Sequence, residues 1–381
     1  METSVLATTF GAFTPPSWSG GWASTPSRWS VAASSSWISS DRVAGLLVSN
    51  SREEEMTTQA KVTRDFRYDV TLGRTNLSGI GFRNPVDLAL AKGGNIYVIN
   101  RANEAQPFGT RISWLDINQD FHGEFGQRGT ENGQFIWPLS IAVAPDDRVF
   151  VADEWLSRIV IFSREGQPHG TWGTKGSGDG ELDGPSGLVF DSEGNLLVSD
   201  GNNHRIQKFT PEGVLVSGFG TFGAGEGQLN QPWGITVDHQ GAIFVADWRN
   251  DRIQKFTSEG QFLLQIGTSG SGEGQLNRPT GVAVDRDGDI YVTDWLNDRV
   301  QVFDAQGNFV TSWTGDANLS KWAELQLAGS PDVVEQRDTV PDMLEMEKRF
   351  REPIAVEVDE QNRIMVLDCR RDRIQVYKKV S

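Results

Sequence analysis

The sequence predicts an all-β protein built from repeated four-stranded units, and three observations support this fold class. A proline opens each of six similar segments, and consecutive prolines are 53, 47, 47, 47 and 74 residues apart. Alternating apolar residues follow each proline, as expected for strands. The chain also contains 42 glycines, the residue type that turns with positive φ require. The six prolines are Pro85, Pro138, Pro185, Pro232, Pro279 and Pro353.

The segment from Gln231 to Gly267 contains one complete unit. Pro232 opens its first strand, Asp247 ends the second, Arg252 begins the third, and the fourth ends at Gly267. Four strands in a repeat of about 47 residues are typical of a β-propeller blade. One blade cannot bury its two apolar faces alone, so six units predict a six-bladed β-propeller of four-stranded antiparallel blades.

The last unit supplies only three strands, over residues 354–359, 363–368 and 373–377. The segment Phe66–Gly73 has the alternation of a fourth strand and precedes the first blade. We expect this N-terminal strand to complete the last blade and close the ring, which leaves no open sheet edge there.

An aspartate ends the second strand in five units, and an arginine follows five residues later. An equivalent pair in five blades predicts buried ion pairs that fix the loops rather than a binding site. These pairs are Asp153 with Arg158, Asp200 with Arg205, Asp247 with Arg252, Asp294 with Arg299, and Asp368 with Arg373.

The recurring motifs resemble a known repeat. Pro-x-Gly-Ile-x-Val-Asp, Ile-Phe-Val-Ala-Asp and Asn-Asp-Arg-Ile-Gln-Lys-Phe, as they stand within residues 232–256, resemble the NHL repeat. The resemblance covers about residues 66–381 and implies an NHL-type six-bladed β-propeller. Propellers of this type often serve as recognition platforms, and some bind RNA. Related propellers include metal-dependent lyases and lactonase-like hydrolases.

Composition divides the chain into two predicted regions. Residues 1–55 are rich in Ser, Thr, Gly, Pro and Trp and lack strand or helix periodicity. This composition indicates a low-complexity leader that is disordered. If synthesis begins at Met56, the leader is instead untranslated. Residues 56–381 form the predicted propeller. An insertion at about residues 316–352 contains two short helical patterns, Leu319–Leu327 and Pro341–Phe350.

Charge and cysteine content exclude several classes of protein. The net charge of −16 and pI of about 4.8 disfavour nucleic acid as a partner. The single cysteine allows no intrachain disulfide and no cysteine-based zinc module. No run of eighteen apolar residues is present, and no signal peptide is recognisable. We therefore expect a monomeric, cytoplasmic protein without a membrane segment.

Two acidic residues depart from the repeat. Asp87 stands where other units have Gly, Ser or Ala, and Glu357 stands where they have Ala, Val or Thr. Ring closure makes the first and last blades neighbours, so both carboxylates are expected to approach the channel together. They either pair with Arg101, Arg349 or Arg351, or they form a site for a small cation, of which calcium is the candidate cofactor.

The function that the sequence favours is non-catalytic binding or sensing. The loops that follow the second strands and enter the first strands share one face of the ring, which we call the loop face. A protein, peptide or small ligand would bind there and at the channel mouth.

The alternative is a calcium-type lactonase- or lyase-like enzyme using Asp87 and Glu357; the four histidines are not expected to converge on a zinc ion. RNA binding ranks third. The candidate ligand-binding residues are Asp87, Arg101, Trp155, Trp233, Trp248, Arg249, Trp295 and Glu357.

Overall fold

The computed structural model describes residues 64–101, 109–330 and 341–380, together with residues 332 and 339. The predicted leader lies outside the described residues, as do residues 102–108 in the first blade and most of the segment between the two insertion helices. The unit from Lys61 to Ser381 contains all the elements below.

This unit is a ring of six four-stranded antiparallel blades, which confirms the predicted fold class. In blades 1 to 5 the strands follow one another in chain order from the channel outward. The strands up to blade 3 are β1 (Phe66–Leu72); β2 (Pro85–Ala91), β3 (Asn95–Asn100), β4 (Arg111–Asp116) and β5 (Phe121–Phe125) of blade 1; the short β6 (Gln127–Arg128) and β7 (Gln134–Phe135); β8 (Pro138–Val143), β9 (Val149–Asp153), β10 (Arg158–Phe162) and β11 (Pro168–Trp172) of blade 2; and β12 (Pro185–Phe190), β13 (Leu196–Asp200), β14 (Arg205–Phe209) and β15 (Leu215–Phe219) of blade 3.

Blades 4 and 5 repeat the same pattern, and blade 6 completes the ring. Their strands are β16 (Pro232–Val237), β17 (Ile243–Asp247), β18 (Arg252–Phe256) and β19 (Phe262–Ile266) of blade 4; the short β20 (Thr268–Ser269) and β21 (Gln275–Leu276); β22 (Pro279–Val284), β23 (Ile290–Asp294), β24 (Arg299–Phe303) and β25 (Phe309–Trp313) of blade 5; and β26 (Pro353–Val358), β27 (Arg363–Asp368) and β28 (Arg373–Lys379) of blade 6.

The ring closes as predicted. Strand β1 pairs antiparallel with β28, from Phe66 opposite Lys379 to Leu72 opposite Ile374. An acidic turn in blade 5 secures this seam, because Lys379 Nζ lies 2.8 Å from an Asp285 oxygen and 2.7 Å from oxygens of Asp287 and Asp289. Arg64 adds an ion pair to Asp289.

The core lies between the blades. Apolar side chains of the two middle strands pack against the neighbouring blade. A large buried aromatic is the fifth residue of the third strand in most blades: Phe162, Phe209, Phe256, Phe303 and Tyr377. Burial of side chains of this size contributes about 1.5–3 kcal/mol each.

The six inner strands β2, β8, β12, β16, β22 and β26 line the channel. Gly187 and Gly234 stand two residues after their prolines, and a Cβ on either glycine would overlap a backbone oxygen of the next inner strand. This close approach explains the small residue at that position in most blades, and it makes Asp87 an exception that needs its own contacts.

The insertion forms two helices, α1 (Lys321–Ala328) and α2 (Pro341–Lys348), close to the predicted bounds. Ser320 caps α1 by accepting a hydrogen bond from the Ala323 amide. Trp322 is buried against blade 1 and donates from Nε1 to the Gln119 carbonyl at 2.8 Å. No helix in the described part of the chain is long and apolar enough to cross a membrane.

Candidate functional site

The repeated aspartates and arginines form the same buried network in four blades. Each aspartate forms an ion pair with the Nε of its arginine. It also accepts a hydrogen bond from the glutamine that stands two residues after that arginine. Each arginine also donates to carbonyls of the preceding loop. The network therefore fixes the loops of the blade. The four ion pairs are Arg205–Asp200 at 2.9 Å, Arg252–Asp247 at 2.8 Å, Arg299–Asp294 at 2.7 Å and Arg373–Asp368 at 2.8 Å.

The predicted fifth pair, Asp153 with Arg158, does not form. Arg158 donates to loop carbonyls, but its buried Nε has no hydrogen-bond partner among the described residues. Asp153 instead accepts hydrogen bonds from the backbone amides of Ile136, Trp137 and Leu156. Val160 occupies the position held by glutamine in the other four networks, so Asp153 also lacks the glutamine hydrogen bond and relies on backbone amides.

Asp87 lines the channel and is held by blade 2. Its Oδ2 accepts from Ser140 Oγ at 2.7 Å and from the Ile141 amide at 2.9 Å, and its Oδ1 accepts from the Leu88 amide at 2.9 Å. Burial raises the pKa of Asp87 to about 7, although these hydrogen bonds oppose the rise. Asp87 thus replaces the close backbone packing of blades 3 and 4 with hydrogen bonds to the next blade.

Glu357 lies in the same channel and has no such support. No hydrogen bond or ion pair of its carboxylate is found among the described residues, and the expected pairing with Arg101, Arg349 or Arg351 is absent there. Burial and, as a smaller cause, the nearby charge of Asp87 together raise the pKa of Glu357 to about 8. The two carboxylates therefore line the same narrow channel, as ring closure predicted.

The donor set at this pair fits calcium poorly. Calcium takes six to eight oxygen ligands, and no group of three or more His, Cys, Asp or Glu side chains that could hold a metal occurs in the described residues. Asp87 already accepts three hydrogen bonds, and the channel hydroxyls of Ser140, Ser186 and Thr280 are hydrogen-bonded within the protein. The narrow channel between the inner strands has a volume of about 30 Å³, room for roughly two waters.

The loop-face mouth of the channel is chemically asymmetric. One residue from each blade follows the last residue of the second strand, and we call these six positions the mouth ring. Trp248 and Trp295 occupy neighbouring positions, with ring centroids 6.4 Å apart. The mouth ring consists of Arg101, Glu154, Gly201, Trp248, Trp295 and Cys369.

Three tryptophans form one cluster at the mouth, which we call the tryptophan patch: Trp233, Trp248 and Trp295. Trp233 lies 5.5 Å from Trp248 between ring centroids. The guanidinium groups of Arg278 and Arg249 lie over Trp248 at 4.8 and 5.5 Å from its centroid, within cation–π range. Trp248 is 9% exposed, and its buried Nε1 has no hydrogen-bond partner among the described residues. Such a donor costs about 1–3 kcal/mol when unpaired.

A second pair of aromatic and basic groups lies across the mouth. The Arg101 guanidinium sits 4.7 Å over the Trp137 ring. Burial lowers the pKa of Arg101 and raises the pKa of Glu154. The two residues carry opposite charges, so each one opposes the change in the pKa of the other. Trp155 is 51% exposed and stands outside the tryptophan patch.

The structure therefore brings Trp233, Trp248, Arg249 and Trp295 together, and it places Asp87 and Glu357 in the channel. Arg278 and Trp137 were missed at the sequence level, because each lies directly before the proline that opens a strand, where no repeat signal marks it. Their position beside the mouth ring could have been inferred from the loop-face geometry alone.

Comparison with protein families identifies the repeated units. The NHL-repeat model matches residues 182–209, 229–256 and 276–303, the first three strands of blades 3, 4 and 5 with the residues that precede them. The chain is a six-bladed β-propeller that carries NHL repeats at these three positions. A search of curated proteins gives no significant match.

Solved structures share the fold. A streptogramin B lyase has 13% identity and a TM-score of 0.52, with 83% of this chain and 98% of that chain covered. A virginiamycin B lyase from Staphylococcus aureus also has 13% identity, with a TM-score of 0.51 and coverage of 83% and 100%. A protein of unknown function from Bacteroides thetaiotaomicron has 14% identity, a TM-score of 0.56 and coverage of 83% and 76%. At such identities the likeness extends to the fold alone.

Proposed function

We propose that this protein is a non-catalytic recognition propeller that binds a peptide segment of a partner protein on its loop face. The observation that carries the proposal is the tryptophan patch with its two overlying arginines. Tryptophan and arginine are the residue types most enriched in binding hot spots. Only blades 4 and 5 contribute tryptophans to the mouth ring, so the patch is not a requirement of the repeat.

The chemistry of the patch favours a particular kind of segment. Arg249 is exposed and forms no ion pair among the described residues, which favours an acidic group in the partner. The partly exposed rings of Trp233 and Trp295 offer apolar area. A short segment that combines an acidic and an apolar side chain meets both conditions.

The experiment is selection of peptides from a random display library on the purified propeller, followed by affinity measurement with fluorescent copies. We expect Trp295→Ala and Arg249→Ala each to weaken the selected peptides, Trp295→Ala by about 30-fold, the size of a hot-spot residue. Leu296→Ala and Trp155→Ala are matched controls, because both side chains are about half exposed on the same face outside the patch. They should change affinity less than about twofold, within the range of non-hot-spot contacts.

Two results would contradict the proposal. One is that no peptide is enriched on the wild-type protein. The other is that selected peptides bind Trp295→Ala and Arg249→Ala as tightly as wild type, which would move the binding surface elsewhere.

A further inference from the structure

The channel widens at the face opposite the loop face into a cavity of about 670 Å³. We call this the turn-face cavity, because the turns between first and second strands surround it. Leu90, Val143, Val189 and Phe190 contribute apolar wall from three blades. A volume of this size is that of a small-molecule site, for which about 300–1,000 Å³ is usual.

Glu357 lies where the narrow channel meets the turn-face cavity, and it lines both. It is the one carboxylate among the described residues of the inner strands besides Asp87, which already accepts three hydrogen bonds. The equivalent positions in the other blades hold Ala89, Ala142, Val189, Thr236 and Ala283. A half-buried carboxylate without a partner is costly for the folded protein, and nothing in the repeat requires it.

We propose that the turn-face cavity binds an organic cation, an ammonium group carried on an apolar body, with Glu357 as the acceptor of the ammonium. Charge complementarity favours a cation, because Glu357 is unpaired among the described residues and the two basic residues that line the cavity, Lys92 and Arg363, lie at its mouth. The apolar wall selects the body, because each buried CH₂ contributes about 0.8 kcal/mol. A bare metal ion is a poorer match, since it would find too few oxygen ligands.

The charged groups around the cavity support this orientation. Asp87 faces Glu357 from the adjacent inner strand and adds negative charge at the inner end. At the mouth, Arg363 is paired with Asp359, Lys92 donates to the Pro145 carbonyl at 2.9 Å, and Glu360 is exposed. The ammonium therefore belongs at the inner end, and the apolar body extends toward the mouth.

Binding should depend on pH. Because the pKa of Glu357 is about 8 without ligand, its carboxyl group is largely protonated at pH 6 and largely ionised at pH 9. A cation binds the ionised form, so affinity should rise about tenfold per pH unit below pH 8 and level off above it. Hexylammonium stays protonated over this range, and ionisation of Asp87, whose pKa is about 7, would reinforce the same trend.

The experiment uses the full chain with n-hexylammonium as the probe, and with hexan-1-ol and hexanoate as size-matched neutral and anionic controls. Affinity is measured by calorimetry between pH 6 and 9. We expect hexylammonium to bind at pH 8.5, hexan-1-ol to bind at least tenfold more weakly, and hexanoate not to bind. Glu357→Gln should weaken hexylammonium at least tenfold and flatten the pH profile, while Glu360→Gln at the mouth should change affinity less than threefold.

Three outcomes would overturn the inference: no binding of hexylammonium to the wild type at pH 8.5, equal binding of hexan-1-ol, or unchanged affinity and pH profile in Glu357→Gln. Circular dichroism checks folding, and Glu357→Gln is expected to fold because it removes a buried charge. Trp295→Ala should bind hexylammonium like the wild type, so failure of the loop-face proposal and failure of this one are separable.

Discussion

Asp247 in blade 4 and Glu357 in the channel are both carboxylates with restricted access to solvent, but only Asp247 has hydrogen-bond partners in the described part of the chain. Asp247 accepts from Arg252 at 2.8 Å, from Asn250 at 2.8 Å and from the Asn230 amide at 2.7 Å. Glu357 accepts no hydrogen bond from any described residue. The aspartates of the four recurrent networks are paired with arginine and stabilise the ring. Glu357 occurs once, has no partner among the described residues and lines an open cavity, so its carboxylate is available to a ligand.

The largest expected effect comes from breaking a recurrent network. Asp247→Ala should lower the free energy of unfolding by about 3–5 kcal/mol, because it leaves Arg252 charged, buried and unpaired. Asp153→Ala is the matched change in blade 2, where no ion pair exists. It should cost only about 1–3 kcal/mol, for the backbone amides that lose an acceptor.

Urea unfolding of the two variants measures this difference directly. Equal losses of unfolding free energy would mean that the ion pair in blade 4 adds no stability beyond that of the hydrogen bonds to the aspartate.

The seam provides the next comparison, between two adjacent lysines. Lys379→Met removes the cation that contacts three aspartates, two of them with fully buried side chains, and should cost about 2–4 kcal/mol. Lys378 pairs with Asp69 in a mostly exposed position, so Lys378→Met should cost less than about 1 kcal/mol. Thermal unfolding distinguishes them, and a similar change in Tm for both would show that the acidic turn does not hold the seam.

Glu357 should make stability depend on pH in a direction set by its pKa. The folded-state pKa of about 8 exceeds the ordinary 4.5, so the folded protein holds a proton that the unfolded chain releases between pH 4.5 and 8. Wild-type stability should therefore fall as pH rises through that window. Glu357→Gln lacks this loss and should exceed wild type by about 2 kcal/mol at pH 8, a value reduced from the full pKa shift because the group keeps some solvent contact.

Urea unfolding of both proteins at pH 5, 7 and 8 measures the gap. A gap that stays constant or narrows as pH rises would mean that Glu357 is ionised throughout, which requires a partner in the folded protein.

The ring and its closure could be predicted from sequence because both rest on short-range patterns: alternation within Phe66–Leu72 and the proline spacing. The absence of a fifth ion pair could not be predicted, because blade 2 has the same Asp–Arg spacing as the other blades and Asp153 binds backbone amides instead. The contacts of Asp87 with Ser140 and Ile141 depend on how closely two inner strands approach. The unpaired Trp248 Nε1 depends on neighbours from two blades. Sequence periodicity does not reveal such contacts between blades. The scaffold and the location of the site could therefore be predicted from the sequence, but the hydrogen bonding of the site residues could not.

The smallest expected effect is a difference in unfolding free energy between two tryptophan substitutions, one at Trp248 in the channel mouth and one at Trp322 in helix α1. Trp248→Phe and Trp322→Phe remove similar volumes, but they remove different N–H groups. Trp322 Nε1 donates to Gln119 at 2.8 Å, so its loss leaves a buried carbonyl without a donor. Trp248 Nε1 has no partner to lose. Trp322→Phe should therefore cost about 1–2 kcal/mol more than Trp248→Phe, by urea unfolding with each m-value checked against wild type. If Trp248→Phe costs as much, the Nε1 of Trp248 has a stabilising partner in the folded protein. If it costs little, the N–H of Trp248 contributes nothing to the stability of the scaffold, in contrast to the N–H of Trp322.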